Sequence, residues 1–156
     1  MIIFPYSPED FDVWFFLAYK LYPNMDATEL RKLLMTVKDK PYQQIYFAGL
    51  SPADESSTIK KIPIAYIRVT LRHDYVEGAS SSPTGYIEGI YVEPAHRKSG
   101  IARKLFQAAE LWAKSKGCIE IGSDTWVDNL VARKFHIGVG FEEDDVLVHY
   151  IKRIDT

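Results

Sequence analysis

The sequence contains little cysteine and no long apolar run. Cys118 is the single cysteine among 156 residues, which excludes an internal disulfide. No stretch approaches the roughly 18 consecutive apolar residues of a membrane span, and residues 1–5 lack the basic region that opens a signal peptide. These absences predict a soluble, cytoplasmic protein.

An excess of positive charge is also missing. The chain carries 19 Lys and Arg residues against 21 Asp and Glu residues, a net charge of -2, whereas nucleic-acid-binding domains are usually basic. His73, His96 and His149 show no spacing typical of metal ligands. We therefore expect no nucleic-acid partner, no membrane partner and no metal.

What is present is a globular composition, with 47% hydrophobic and 26% charged residues. The length fits a single domain over residues 1–156. Apolar periodicity and turn residues predict the order β-α-α-β-β-β-α-β-α-β, an α/β or α+β fold on a mixed sheet with a strand-helix-strand crossover around residues 86–122. The predicted strands are 2–4, 44–50, 63–71, 86–92, 118–122 and 146–151. The predicted helices follow caps at Ser7, at Asp26 or Thr28 and at Asp128, and the third begins at residue 101. The last helix ends near residue 136, and loops are predicted over 51–57 and 77–85.

A candidate anion-binding loop, Arg-Lys-Ser-Gly-Ile-Ala, occupies residues 97–102 between a strand and a long helix. The first N–H groups of a helix have no intrahelical partner and attract anions. Gly100 and the small Ala102 allow close backbone approach, and Ser99 adds a hydroxyl. The spacing matches neither a dinucleotide fingerprint nor a P-loop; the alternative is an ordinary helix start with solvated basic residues. Positive charges surround the loop at Arg97, Lys98 and Arg103.

This loop resembles the pyrophosphate loop of the GNAT superfamily of N-acetyltransferases, written Arg/Gln-x-x-Gly-x-Gly/Ala. One strand later come Asn129-Leu-Val-Ala132, His136 and Gly140-Phe141, in the family's order. The preceding strand resembles the one that pairs with the pantetheine arm of coenzyme A, and Gly89 in its middle is typical of a bulge or a close backbone approach. The resemblance implies a GNAT-like mixed, mostly antiparallel central sheet flanked by helices on both faces.

Within the superfamily the chain resembles aminoglycoside 6'-N-acetyltransferases over nearly its full length. The resemblance implies an enzyme of antibiotic resistance that transfers an acetyl group from acetyl-coenzyme A to the 6'-amino group of an aminoglycoside, by direct attack in a ternary complex. It also implies a homodimer, through exchange of the final strand and the loop over residues 77–85. The segments that carry it are 72–78, Ser82-Pro83, 86–92, 96–102, 109–114, 123–124 and 128–129.

The same resemblance implies roles for individual residues. Tyr22 stands where the relatives carry tryptophan, so it is expected to stack on a sugar ring. Asp74 is either a pocket residue or a charge at a strand end. The residues expected to contact acetyl-coenzyme A are Ile90, Tyr91, Val92, Arg97, Lys98, Ser99, Gly100, Ile101, Ala102, Arg103 and Asn129. Those expected to contact the acceptor are Tyr22, Asp74, Tyr75, Glu88, Asp124 and Asp145.

The chemistry of acyl transfer assigns further roles. A carboxylate that removes the amine proton is expected first at Asp124 and second at Glu88, and strand N–H groups near Val92 can hold the developing oxyanion. His136 can protonate the leaving sulfur where most family members use tyrosine, or it is a helix residue that only packs there. Two other hypotheses remain: a GNAT enzyme that acetylates a polyamine, a metabolite amine or a protein amine, and a non-enzymatic sensor that binds coenzyme A or a nucleotide.

Overall fold

The computed structural model of the protein describes residues 1–50 and 62–154. The loop predicted over residues 51–57 therefore lies outside the described residues. The chain divides into two compact units, Met1–Ser123 and a second unit that begins at Asp124. No helix in the described stretches is long and apolar enough to cross a membrane. That the whole chain is one domain stays a prediction.

The first unit is built on a five-stranded sheet in the order β1-β2-β3-β4-β5. The first four strands follow one another antiparallel, whereas β5 pairs with β4 in parallel. A parallel neighbour requires a crossover, and a helix between β4 and β5 supplies it. The mixed, mostly antiparallel sheet and its crossover are thereby confirmed. The strands are β1 (Ile2–Pro5), β2 (Gln43–Leu50), β3 (Ile62–Arg72), β4 (Thr84–Val92) and β5 (Ile121–Ser123).

The described residues contain four α-helices, most of which begin where the sequence predicts. Asp26 caps the second helix, because its carboxylate accepts from the N–H groups of Thr28 at 2.9 Å and Glu29 at 3.0 Å. The first helix follows a 3-10 turn at which the Ser7 N–H and hydroxyl both donate to Asp10, each at 2.9 Å. The helices are α1 (Phe11–Leu21), α2 (Ala27–Val37), α3 (Ile101–Ser115) and α4 (Leu130–Gly138).

Helices cover both faces of the sheet, as the resemblance implies. α1 and α2 bury Trp14, Leu17 and Leu30 against Phe47 and Tyr66 of the sheet. Strand side chains alternate between faces, so Ile67 and Val69 point the other way, and α3 packs on that side over β2, β3 and β4. The contact with β4 is close, because a Cβ placed on Gly85 would lie 2.9 Å from the Cβ of Ala113.

Two predicted boundaries near the end of the chain are wrong. The strand predicted over residues 118–122 is shorter, because the Cys118 N–H still donates to the Ala113 carbonyl at 3.1 Å and so belongs to the turn that ends α3. The cap of α4 is Asn129 rather than Asp128, since the Asn129 side-chain oxygen accepts from the Ala132 N–H at 3.1 Å.

The strand predicted over residues 146–151 is also wrong for the described chain. A strand is defined by its ladder to a neighbour, and residues 141–154 make no such ladder with any described residue. The segment keeps its apolar composition, with Tyr150 92% and Ile151 98% exposed.

Candidate active site

Strand β4 carries a bulge at Glu88. Arg68 of β3 pairs with Gly89 while Val69 pairs with Ile87, so Glu88 is the extra residue of the ladder. A bulge of this kind re-aims a side chain and disrupts the hydrogen bonding of the extra residue. Gly89 predicted a bulge in this strand. The bulge is confirmed, and it lies at Glu88, one residue before the glycine.

The Glu88 side chain is held by two residues of the neighbouring strand. Its Oε1 accepts from the Thr70 hydroxyl at 2.6 Å and from the Arg72 Nε at 3.1 Å, and the Arg72 Nη2 donates to both carboxylate oxygens at 3.0 Å. The guanidinium also lies 3.4 Å from the centroid of the Tyr86 ring. Glu88 is therefore an oriented carboxylate, and the paired guanidinium offsets part of its charge.

The main chain of Glu88 is attached to the end of α1. The Tyr22 hydroxyl donates to the Glu88 carbonyl oxygen at 3.1 Å. Gly89, the next residue in the chain, leaves room for this approach, because a Cβ there would make tight contacts of 3.2 Å with the oxygens of both Tyr22 and Tyr66. Burial raises the pKa of Tyr66 well above its ordinary value, and the nearby Tyr22 adds to that rise, so Tyr66 remains a neutral phenol.

Beyond the bulge, β4 has an edge that β5 does not cover. β5 pairs only with residues 85–87 of β4. The Glu93 N–H donates to the Ile64 carbonyl of β3 at 2.9 Å, and backbone groups alternate between the two edges of a strand. The N–H groups of Ile90 and Val92 therefore face the open edge, where an extended ligand can add to the sheet.

The loop from β4 to α3 has the conformation of an anion cradle. Lys98 has φ 59° and Gly100 has φ 80°, both in the left-handed region. In the described part of the chain, the amides of residues 98–102 donate to no protein oxygen. Successive amides of this kind at a helix N-terminus form a concave anion site. Gly100 is required here by its backbone angle rather than by space, since a Cβ there would meet nothing within 4 Å.

Side chains fix both ends of this loop. The Arg97 Nε donates to the Val92 carbonyl at 2.9 Å, and the Ser99 hydroxyl donates to the His96 carbonyl at 2.5 Å. Lys20 of α1 forms an ion pair with Glu93 at the end of β4. The three charges expected to surround an anion, Arg97, Lys98 and Arg103, are all exposed.

The second unit holds Asn129 and His136, both predicted near the cofactor. The Asn129 side-chain oxygen is occupied as the cap of α4. The His136 Nδ1 lies 2.7 Å from the Ala132 carbonyl, and a carbonyl only accepts, so Nδ1 carries a proton. The ring packs edge-on against Phe141, with centroids 5.2 Å apart. In the neutral ring Nε2 then has a lone pair and no proton, so only the imidazolium form can act as an acid.

The predicted acceptor residues fall in several places. Tyr22 and Glu88 are brought into direct contact, whereas Asp74 and Tyr75 lie exposed in the loop after β3, with Tyr75 79% exposed. Asp124 and Asp145 are exposed residues of the second unit. In the acidic run around Asp145, Arg133 donates to Glu143 at 2.7 and 2.8 Å, and this hydrogen-bonded pairing lowers the pKa of Glu143.

A metal site is not evident. No group of three or more His, Cys, Asp or Glu side chains suited to a metal ion occurs over residues 1–50 and 62–154. That the protein needs no metal stays a prediction.

Comparison with known sequences matches these features to a family. The profile of the acetyltransferase (GNAT) family matches residues 15–141. The chain belongs to the GNAT family of acetyltransferases. Among curated relatives, this GNAT chain is 36% identical to "Aminoglycoside N(6')-acetyltransferase type 1" of Acinetobacter haemolyticus, over 99% of this chain and 100% of that protein.

Solved structures agree with the assignment. The apo aminoglycoside antibiotic 6'-N-acetyltransferase AAC(6')-IG from Acinetobacter haemolyticus has a TM-score of 0.84 at 34% identity, covering 99% of this chain and 100% of that one. AAC(6')-Iy in complex with the bisubstrate analogue CoA-S-monomethyl-acetylneamine has a TM-score of 0.86 at 29% identity, covering 98% of each chain. The GNAT fold predicted from sequence is confirmed.

Sequence reasoning missed the partners of Glu88. Thr70 and Arg72 lie on β3, 18 and 16 residues away in the chain, and nothing local marks them. Their alternate spacing on one strand, opposite an acidic residue of the next, is the signal that a correct strand register would have exposed.

Proposed function

We propose that this GNAT protein transfers an acetyl group from acetyl-coenzyme A to the 6'-amino group of aminoglycosides. The observation that carries the proposal is similarity over almost the whole chain to a 6'-N-acetyltransferase solved with an analogue that joins coenzyme A to neamine. The family alone fixes neither the acceptor nor the amine position. Similarity at this coverage includes the segments that we assign to the acceptor as well as the phosphate loop.

The donor side of the proposal fits the geometry of β4 and α3. The amides of residues 98–102 and the charges of Lys98 and Arg103 suit a diphosphate. The open edge of β4 offers the N–H groups of Ile90 and Val92 to an amide-containing arm. We assign acetyl-coenzyme A binding to Ile90, Tyr91, Val92, residues 97–103 and Asn129.

The acceptor side relies on acidic residues, because an aminoglycoside carries several ammonium groups. We assign acceptor binding to Tyr22, Asp74, Tyr75, Glu88, Asp124 and Asp145. Glu88 contributes an oriented carboxylate, although Arg72 offsets part of its charge. Tyr22 is an aromatic residue that is 39% exposed.

For the chemical step we propose direct attack of the amine in a ternary complex, without an acyl-enzyme. Asp124 is the better candidate for the base, since the Glu88 carboxylate already accepts hydrogen bonds from Thr70 and Arg72. The Val92 N–H stabilises negative charge on the carbonyl oxygen under attack. His136 donates a proton to the departing sulfur in its imidazolium form.

A pair of acceptors that differ at one position tests the amine assignment. Neomycin carries a 6'-amine and paromomycin a 6'-hydroxyl on otherwise matching rings. With purified protein and acetyl-coenzyme A, thiol release and a mass gain of one acetyl group are expected for neomycin and kanamycin but not for paromomycin. Equal turnover of paromomycin would move the reaction to another amine.

The same assay separates the competing functions. Turnover of spermidine or of a lysine peptide, with none of kanamycin, would replace the aminoglycoside by another amine. Tight coenzyme A binding by calorimetry without turnover of any amine would favour a non-enzymatic sensor.

Asp124→Asn tests the assignment of the general base, because it removes a charge with almost no change of shape. Loss of the general base predicts a fall in kcat of about 100-fold or more.

Oligomeric state and location complete the proposal. The apolar segment 146–151 makes no ladder with described residues, and its exposure supports a homodimer in which a second copy covers it. Light scattering is expected to give a mass of twice 17.9 kDa; a monomer at micromolar concentration would contradict this.

An enzyme that uses acetyl-coenzyme A as donor is expected in the cytoplasm, where cell fractionation would detect it.

A further inference from the structure

The hydroxyl of Tyr22 forms a hydrogen bond with the backbone at the bulge of β4. It donates to the Glu88 carbonyl at 3.1 Å, and Glu88 is the residue that the β3–β4 register skips. The extra residue of a bulge is left without its normal ladder bonds, and a polar backbone group needs another partner. We propose that Tyr22 is a positioning residue, whose hydroxyl fixes the bulge and thereby the direction of the N–H groups of Ile90 and Val92.

Two further contacts support this role. A Cβ on Gly89 would approach Tyr22 Oη to 3.2 Å and Leu21 Cδ2 to 3.1 Å, so the glycine is what lets the end of α1 come this close to the strand. Four residues after Gly89, the ion pair between Lys20 and Glu93 attaches the same helix end to the end of β4. The open-edge stretch of β4 is thus held to α1 at both of its ends.

The backbone of Tyr22 is itself fixed. Its N–H donates to the Ala18 carbonyl at 3.0 Å, the last bond of α1. The residue is 39% exposed, although its hydroxyl is engaged with the strand, so the ring and the hydroxyl can have different roles. Tyr22→Phe keeps the ring and removes only the hydroxyl, which separates the positioning role from contact with the acceptor.

The kinetic test rests on the proposed function and compares Tyr22→Phe with Tyr19→Phe. Tyr19 lies on the same helix with the same exposure of 39%. Loss of a neutral hydrogen bond that orients catalytic N–H groups predicts a fall in kcat of about two- to tenfold for Tyr22→Phe. The KM for kanamycin is expected to stay unchanged, and Tyr19→Phe should match the wild type. An unchanged kcat, or a change in the kanamycin KM alone, would overturn the inference.

A double-mutant cycle and hydrogen exchange make the test independent of the acceptor. Gly89→Ala disturbs the contact between Tyr22 and the strand from the strand side. Its effect on kcat and that of Tyr22→Phe are therefore expected to be less than additive. Full additivity would count against the positioning role. In the protein alone, amides of residues 86–92 should exchange faster in Tyr22→Phe than in Tyr19→Phe. Equal exchange rates would refute the inference even if aminoglycosides are acetylated, whereas faster exchange supports it even if they are not.

Discussion

The ion pair between Arg72 and Glu88 is the most informative place to perturb the first unit. The change is Arg72→Met, which keeps the length of the side chain and removes the guanidinium. The variant leaves the Glu88 carboxylate, whose side chain is only 22% exposed, with the Thr70 hydroxyl as its remaining partner among those described above. A charge that has lost its partner is costly in a partly buried place.

The magnitude follows from the contacts that are lost. A hydrogen bond to a charged group contributes about 1.5–3 kcal/mol, and three donor contacts at 3.0 to 3.1 Å disappear together. The Arg72 side chain is 40% exposed, so solvent screening keeps the sum near the lower part of that range. The guanidinium on the Tyr86 ring adds about 0.5–1 kcal/mol. We expect a loss of about 2–3 kcal/mol in the free energy of unfolding.

Thermal and urea unfolding measure this loss. At about 2–4 °C per kcal/mol for a chain of this size, Tm should fall by about 4–12 °C. Protein concentration must be fixed, because a dimer would couple stability to association. Arg31→Met is the control, since Arg31 also makes an ion pair and lies over aromatic rings, but its pair with Asp12 is 48% and 79% exposed. The control should cost less than about 1 kcal/mol; if Arg72→Met costs no more, the reasoning is refuted.

Three other predictions concern the loops and α4. Gly100→Ala and Gly117→Ala each place a side chain in open space, at φ 80° and 87°. Each should lower the free energy of unfolding by about 1 kcal/mol, but only Gly100→Ala should raise the KM for acetyl-coenzyme A. Equal KM values in the two variants would show that the loop does not bind the cofactor. His136→Ala should lower kcat by about tenfold or more; near-normal kcat would leave the ring a packing role. Hydrogen bonds from the Ser81 hydroxyl and the Ser80 N–H lower the pKa of Glu120 from its usual range. The contact between Glu120 and the loop is therefore present at neutral pH and weakens as pH falls through the lowered pKa. Amide exchange of residues 77–83 should then accelerate, and Glu120→Gln should show faster exchange already at neutral pH.

Sequence periodicity predicted the elements of the first unit because each has a local cause. Asp26 begins a helix through its own two hydrogen bonds, and the runs of consecutive apolar residues in β2 and β3 reflect a sheet buried on both faces. The loop at Gly100 was predicted for the same reason, since its backbone angle is a property of one residue. Features that depend on neighbouring residues, such as helix caps and turns, can be predicted from a single sequence.

The errors arise where the deciding partner is distant or the signals compete. Cys118 lies in an apolar run typical of a strand, yet its N–H completes the end of α3. Asp128 and Asn129 are both good caps, and only the geometry of the Ala132 N–H distinguishes them. Residues 146–151 have strand composition, but a strand also needs an edge to pair with, and composition does not supply one.

The bulge at Glu88 shows why register, rather than residue type, determines which groups face a ligand. The Gly85 N–H donates toward β5, to the Glu120 carbonyl at 3.1 Å, whereas the Glu93 N–H donates toward β3, to the Ile64 carbonyl at 2.9 Å. These residues are an even number of positions apart, so in a regular strand both N–H groups would face the same edge. One extra residue reverses the phase between them. If Glu88 instead took a place in a regular ladder, the uncovered edge would present the N–H of Tyr91 in place of those of Ile90 and Val92.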